Sequence, residues 1–260
     1  MRQLSTLTLL LLVSTSQAHY HMLLPDKPSA KKGEPVTVTF QFGHPYEHQL
    51  TSMKAPGEVR LVAPDGKEID VKGSVKKVSL KGEKGDVDGY RLTFTPQQRG
   101  DYVLVFTSAK TLMKEDNELL IDFVKVIIHV QAQKGWDRNV WGYVEWEPMT
   151  RPYGLLPGTV FQARFRTSPK KNPDVSLLVE VERYNPAPPK ELPGDEFITR
   201  TMKTDDKGVV TTTLPEAGWW CLTTTYQLDS VEVDGKPVKR RQRSTLWVYV
   251  DKSAPTKPAE

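Results

Sequence analysis

The chain has one cysteine, Cys221, in 260 residues, so no disulfide can form within it and a packed core must hold the fold. After the first eighteen positions no apolar run approaches the roughly 20 residues that a membrane-spanning helix needs, which excludes an integral helical segment in the remainder. Charge of one sign is also lacking. The 36 Lys and Arg and the 32 Asp and Glu leave a net charge of +4 spread along the chain, and nothing in it argues for nucleic acid. A Gly-rich phosphate loop, a serine in a nucleophile elbow, a metalloprotease helix and acid pairs at glycosidase spacing are all missing, so no enzyme class is marked and none is expected. What remains is ordinary globular composition, 38% hydrophobic and 26% charged, at a length that suits two domains.

Residues 1–18 read as an export signal. Arg2 supplies the positive start, Leu7 to Val13 a short apolar core, and Ser16 and Ala18 the small residues before the expected cut. The mature protein is therefore expected to be soluble and periplasmic or secreted, and no cysteine lies at the cut to take a lipid anchor. From Lys31 to Ala132 the pattern alternates with period two, as in Val36, Val38, Phe40 and Phe42 against Thr37, Thr39 and Gln41, with turns such as Ala63-Pro64-Asp65-Gly66 between. Only Thr111 to Phe123 suggests a helical turn or two. Thr95 to Tyr102 resembles the tyrosine corner of immunoglobulin-like sandwiches. The rhythm resumes after Thr159, with Asp205-Asp206-Lys207-Gly208 read as a hairpin turn and Lys239 to Arg243 as a basic, solvated turn. The expected fold is all-β, two antiparallel sandwiches in tandem at 19–132 and 159–251. An aromatic and Pro-rich joint at 133–158 carries Trp136, Trp141, Trp146, Tyr143 and Tyr153, and residues 252–260 form a disordered tail.

Four of the five histidines fall between positions 19 and 48. Cutting after Ala18 would expose the α-amine of His19, with His21 third in the chain, on a flexible end. Such a nitrogen-rich terminus suits Cu(II) or Ni(II), with Co(II) and Zn(II) weaker candidates. Either early backbone amides join the amine and His21 around the metal, or the amine and ring of His19 chelate as a histidine brace with a further imidazole from the fold. His44 or His48, in the loop Gly43 to His48, could close the site, with Glu47 as an outer acceptor orienting a ring. His129 is expected as a buried, satisfied histidine and Cys221 as a small buried hydrophobe.

Ala18-His19-Tyr20-His21-Met22-Leu23-Leu24-Pro25, Lys32-Gly33-Glu34-Pro35-Val36 and Phe42-Gly43-His44-Pro45-Tyr46-Glu47 together resemble the start of domain-of-unknown-function family 4198. Arg99 to Val103 and Asp205 to Trp220 continue the resemblance over most of the mature chain, and the second half is also similar to transthyretin-like modules. The resemblance implies an exported protein with a leading histidine, often associated with the periplasmic side of cobalt or nickel uptake, and hence a membrane uptake complex as partner. In it His19 matches the leading His, and His44 and Glu47 fall in the family's strand-end loop, whereas His21 and His48 depart from the commoner pattern. The expected function is divalent transition-metal binding by His19, His21, His44, His48 and Glu47, with nickel, cobalt or copper as the ion. The alternative is a non-catalytic cell-envelope or glycan-binding module whose histidines are incidental.

Overall fold

Alternation of β-branched and aromatic residues with Thr makes Val36–His44 a strand buried on one face, with Val36, Val38 and Phe40 inside. The same logic builds most of the molecule, whose computed structural model describes residues 19–113, 117–140, 144–167, 173 and 175–254. In chain order the strands are β1 (Tyr20–Pro25), β2 (Ser29–Ala30), β3 (Val36–His44), β4 (Gln49–Thr51), β5 (Glu58–Val62) and β6 (Glu68–Ile69). Next come β7 (Val75–Gly82), β8 (Gly85–Phe94), β9 (Gly100–Thr107), β10 (Thr111–Met113), β11 (Glu118–Val130) and β12 (Glu145–Pro148). The last are β13 (Thr159–Arg166), β14 (Leu178–Arg183), β15 (Thr199–Lys203), β16 (Val209–Leu214), β17 (Gly218–Val233) and β18 (Lys236–Val250). One helical turn, Asp195–Ile198, precedes β15.

These strands form three layers. A first sheet, β1-β3-β8-β7 with β4 beside β3, packs on one face of a ten-stranded sheet ordered β15-β14-β17-β18-β11-β9-β5-β6, with β10 and β2 each paired to β11. The sheet β12-β13-β16 covers the other face. Neighbouring residues of the middle strands therefore enter different cores. Tyr102, Leu104 and Phe106 of β9 join the first core while Val103 and Val105 join the second, and Cys221 and Trp247 lie opposite in sense to Leu222 and Leu246. The two halves read from the sequence meet in this sheet through a parallel pairing of β11 with β18, from Glu118↔Lys239 to Val126↔Trp247. The protein is all-β with an immunoglobulin-like sandwich architecture, and Tyr102 makes the corner expected of it, its hydroxyl accepting from the Gln98 N–H at 2.9 Å.

Several local expectations need correction. Within Thr111 to Phe123 the described residues give β10 and the start of β11 rather than helix. Residues 20–25, expected as part of a flexible end, are held instead in β1, which pairs along its whole length with β3. The turn at Asp205 to Gly208 forms, with Asp205 Oδ1 accepting from the Lys207 and Val209 N–H groups. Yet β15 pairs with β14 and β16 with β13, so the turn joins two sheets instead of closing a hairpin. Lys239 to Arg243 lies within β18 and not at a solvated turn. Of the aromatic joint, Trp146 and Tyr153 are buried, at 1% and 4% exposure, and pack inside the protein; Trp141 and Tyr143 lie outside the described residues. Residues 1–18 and 255–260, read as signal and tail, lie outside them too.

Candidate functional site

The register of β1 on β3 sets Tyr20 opposite Gly43, which brings His19, just before β1, to His44 at the end of β3. Their rings meet with centroids 4.3 Å apart, tilted by 50°. Gly43 makes this possible. Its φ is +149°, and a Cβ there would sit 2.1 Å from the Gln49 carbonyl oxygen, so only glycine lets β3 pass close beside β4 and then turn through residues 45–48. Burial lowers the pKa of His44, the neighbouring His19 lowers it further, and Glu47 opposes both, so His44 favours the neutral form that a metal requires.

His21 shares the face of His19 two residues on, but the ring of Phe42 packs against both, at 4.4 Å from His21 and 5.5 Å from His19. Asp122, which can only accept, takes a hydrogen bond from His21 Nδ1 at 2.6 Å, so that nitrogen carries the proton. Arg243 grips the same carboxylate from β18 through Nε at 2.8 Å and Nη2 at 2.6 Å. Burial works against ionisation of Asp122, yet the Arg243 guanidinium and the His21 ring outweigh it and hold the carboxyl at about 2. This anchor escaped the sequence reading, because Asp122 and Arg243 are 121 positions apart and become neighbours only through the β11–β18 register.

His48 is turned elsewhere. Its Nδ1 donates to the Asn185 carbonyl oxygen at 2.9 Å and its ring packs 5.9 Å from Tyr184, so it fastens the loop to the second half of the chain. Three further bonds do the same: Asn185 N–H to Pro45 O at 3.0 Å, Asn185 Nδ2 to Tyr46 O at 2.6 Å, and Tyr46 N–H to Glu182 Oε1 at 3.0 Å. Glu182 also accepts from the Thr199 hydroxyl at 2.7 Å. Burial pushes Glu182 up to about 7; its bonds from Thr199 and Tyr46 resist this, and the charges of Glu47 and Glu180 add to it.

Glu47 is not the ring-orienting acceptor expected of it. Its Oε2 is buried with no hydrogen-bond partner among the described residues, an acceptor left for a cation or a proton within electrostatic reach of His44. Thus the structure brings together His19 and His44, sets His21 beside them on its own anchor, and directs His48 to structural work. Among the described residues no group of three or more His, Cys, Asp or Glu side chains is gathered closely enough to hold a metal. His129 is satisfied as expected, bonded to the buried Asp101 at 2.7 Å and stacked on Tyr153. Cys221 is buried and its thiol is pushed up by that burial, so it offers no thiolate.

A cavity of about 400 Å³ opens beside this pair, walled by His19, His21 and Phe42 and bounded by the Asp122–Arg243 ion pair.

No curated protein matches the sequence. Among solved structures, Escherichia coli alpha-2-macroglobulin activated by porcine elastase is similar over 89% of this chain and 20% of its own, at 17% identity and a TM-score of 0.27. The chain thus spans only a fifth of that protein's length. A Salmonella alpha-2-macroglobulin mutant is similar over 88% of this chain and 15% of its own, at 16% identity and 0.27. The titin fragment A168169 is similar over 88% of this chain and 98% of its own, at 11% identity and 0.23. Likeness at these scores carries no argument about function. Residues 16–228 match the model of a family described as a domain of unknown function (DUF4198), and the chain belongs to that family.

Proposed function

We propose that the protein is an exported, non-catalytic carrier of a divalent transition metal, nickel, cobalt or copper, which it hands to an uptake system. The observation that supports this reading is the pairing of His19 with His44 at one strand end, rings 4.3 Å apart. Two imidazoles on neighbouring corners of a tetragonal ion, with metal–nitrogen bonds of about 2.0 to 2.1 Å, have ring centres roughly 4.5 Å apart, a spacing close to that of the pair. Cutting after Ala18 supplies the third nitrogen, since the freed amine of His19 and its own ring close a chelate on one metal. Glu47, with its buried unpartnered oxygen, offsets part of the positive charge that arrives. His21 stays on Asp122 and His48 on Asn185, outside the first coordination sphere.

The amine binds only after losing its proton, and its ordinary pKa is about 7.7 to 8.0, so affinity falls steeply as the medium turns acidic. The test is calorimetric titration of Ni²⁺ and Cu²⁺ into the chain beginning at His19, the same chain with Ala18 retained, and His44→Ala. Tight uptake by the first and at least a hundredfold weaker uptake by the other two is expected. Equal, negligible uptake by all three would overturn the reading and favour a cell-envelope or glycan-binding module.

A further inference from the structure

The 400 Å³ cavity lies where the first sheet meets the middle one, walled by residues of β1 and β3 from the former and of β10, β11 and β18 from the latter. Its volume falls in the range of small-molecule sites, roughly 300 to 1,000 Å³. Asp122 is the only carboxylate among the lining residues, and its oxygens already take hydrogen bonds from Arg243 Nε, Arg243 Nη2 and His21 Nδ1. A ligand ammonium would find no free carboxylate there. What the lining has to give is protons. Ser52 Oγ accepts the Asp88 N–H at 3.1 Å and Ser108 Oγ the Asp122 N–H at 2.9 Å, so each hydroxyl keeps its own hydrogen to donate. Asp122 cancels the charge of Arg243, which leaves Lys54 as the surplus charge, exposed and without a carboxylate partner among the described residues. A lining with donors to spare and one surplus positive charge suits a monoanion.

The rest of the wall is apolar, and part of it is aromatic. Phe42 lies 4.4 Å from the His21 ring and 5.5 Å from that of His19, and His21 lies 4.9 Å from Phe106, so the rings form a continuous run that one more ring can extend. Leu120 and Met113, from β11 and β10, complete the apolar lining. A ligand whose charge sits at exposed Lys54 keeps its carboxylate partly hydrated, while its body leaves water for the apolar wall, so neither end pays a large desolvation cost. We propose that this cavity binds a small aromatic monocarboxylate, of the size of phenylacetate, with its ring against Phe42 and its carboxylate at Lys54 and Ser52. The inference is independent of the metal reading above.

The experiment is calorimetric titration of phenylacetate, cyclohexylacetate, benzylamine and acetate into the metal-free chain beginning at His19, with nuclear Overhauser contacts between the bound ligand and the isotope-labelled methyl group of Met113 to place it. Phenylacetate is expected to bind with a Kd below about 1 mM and to show the contact to Met113. Cyclohexylacetate, of the same size and charge without the aromatic ring, should bind about threefold more weakly, and benzylamine and acetate not measurably. Lys54→Ala, at an exposed position, should weaken phenylacetate about threefold, and Lys54→Arg should restore it. No uptake of phenylacetate, benzylamine bound as tightly, cyclohexylacetate bound as tightly or more so, an unaltered Lys54→Ala variant, or the absence of the Met113 contact would each overturn the proposal. None of these outcomes bears on Ni²⁺ uptake, which is titrated into the same chain separately.

Discussion

Replacing Asp122 by Asn tests whether the anchor beneath the histidine face is the electrostatic centre its geometry describes. The carboxylate is 6% exposed and its Arg243 partner 17%, so both charges sit mostly out of water and each depends on the other. The carboxyl lies at about 2 against an ordinary 3.8, which corresponds to about 2.5 kcal/mol of native stability at neutral pH. A depressed acid contributes that stability in full above about pH 4 and loses it as the pH falls toward 2. Asp122→Asn also leaves the guanidinium without its counter-charge, so the expected loss at pH 7 is about 3 to 4 kcal/mol. Urea unfolding followed by tryptophan fluorescence measures it, and the gap between wild type and variant should narrow by about 2 kcal/mol between pH 5 and pH 2. The double variant Asp122→Leu/Arg243→Met, which removes both charges, should recover a large part of the loss. A gap below about 1 kcal/mol at pH 7, or one that stays constant down to pH 2, would refute the reasoning.

Glu182 behaves in the opposite sense: its carboxyl is raised from 4.5 to about 7, so its stabilisation is complete below pH 4.5 and disappears as the pH rises through 7. Glu182→Gln, which cannot ionise, should gain about 3 kcal/mol on wild type between pH 4.5 and pH 8 in the same unfolding assay, and parallel pH profiles would contradict this. In the second core Lys125 donates to Glu145 Oε2 at 2.8 Å, Arg138 O at 2.8 Å and Trp146 O at 3.0 Å, with both side chains of the ion pair at 1% exposure or less. Lys125→Met strands the carboxylate and should cost about 3 to 5 kcal/mol at neutral pH. The loss should shrink in acid, where Glu145, already raised by burial, takes up a proton.

The parts of the fold legible in the sequence were those with one wet face. β3 alternates because Thr37 and Thr39 meet solvent while Val36, Val38 and Phe40 do not, and Tyr102 and His129 could be read from their local turn and strand. The strands of the middle sheet were also legible, but not their burial on both sides: every residue of β9 is buried, and β11 runs Phe123 to Ile128 without a polar residue except Lys125, because a layer covers each face. Only the start of β11 passed for a helical turn. Of the candidate site, the gathering of histidines near the start was visible in composition, but which of them meet was not. His19 finds His44 through antiparallel register, and His48 is drawn away by Asn185, which stands 137 positions distant. Asp122, Arg243 and Glu182 carried no local signal, since each acquires its role from a strand brought alongside by topology.

X-ray absorption at the metal edge of the processed protein loaded with one equivalent of Ni²⁺ or Cu²⁺ tests the central claim most directly. The account predicts a nitrogen-dominated sphere with bonds near 2.0 Å and the multiple-scattering pattern of two imidazoles, reduced to one in His44→Ala. A sphere of oxygen donors, or a spectrum that His44→Ala leaves unchanged, would contradict it.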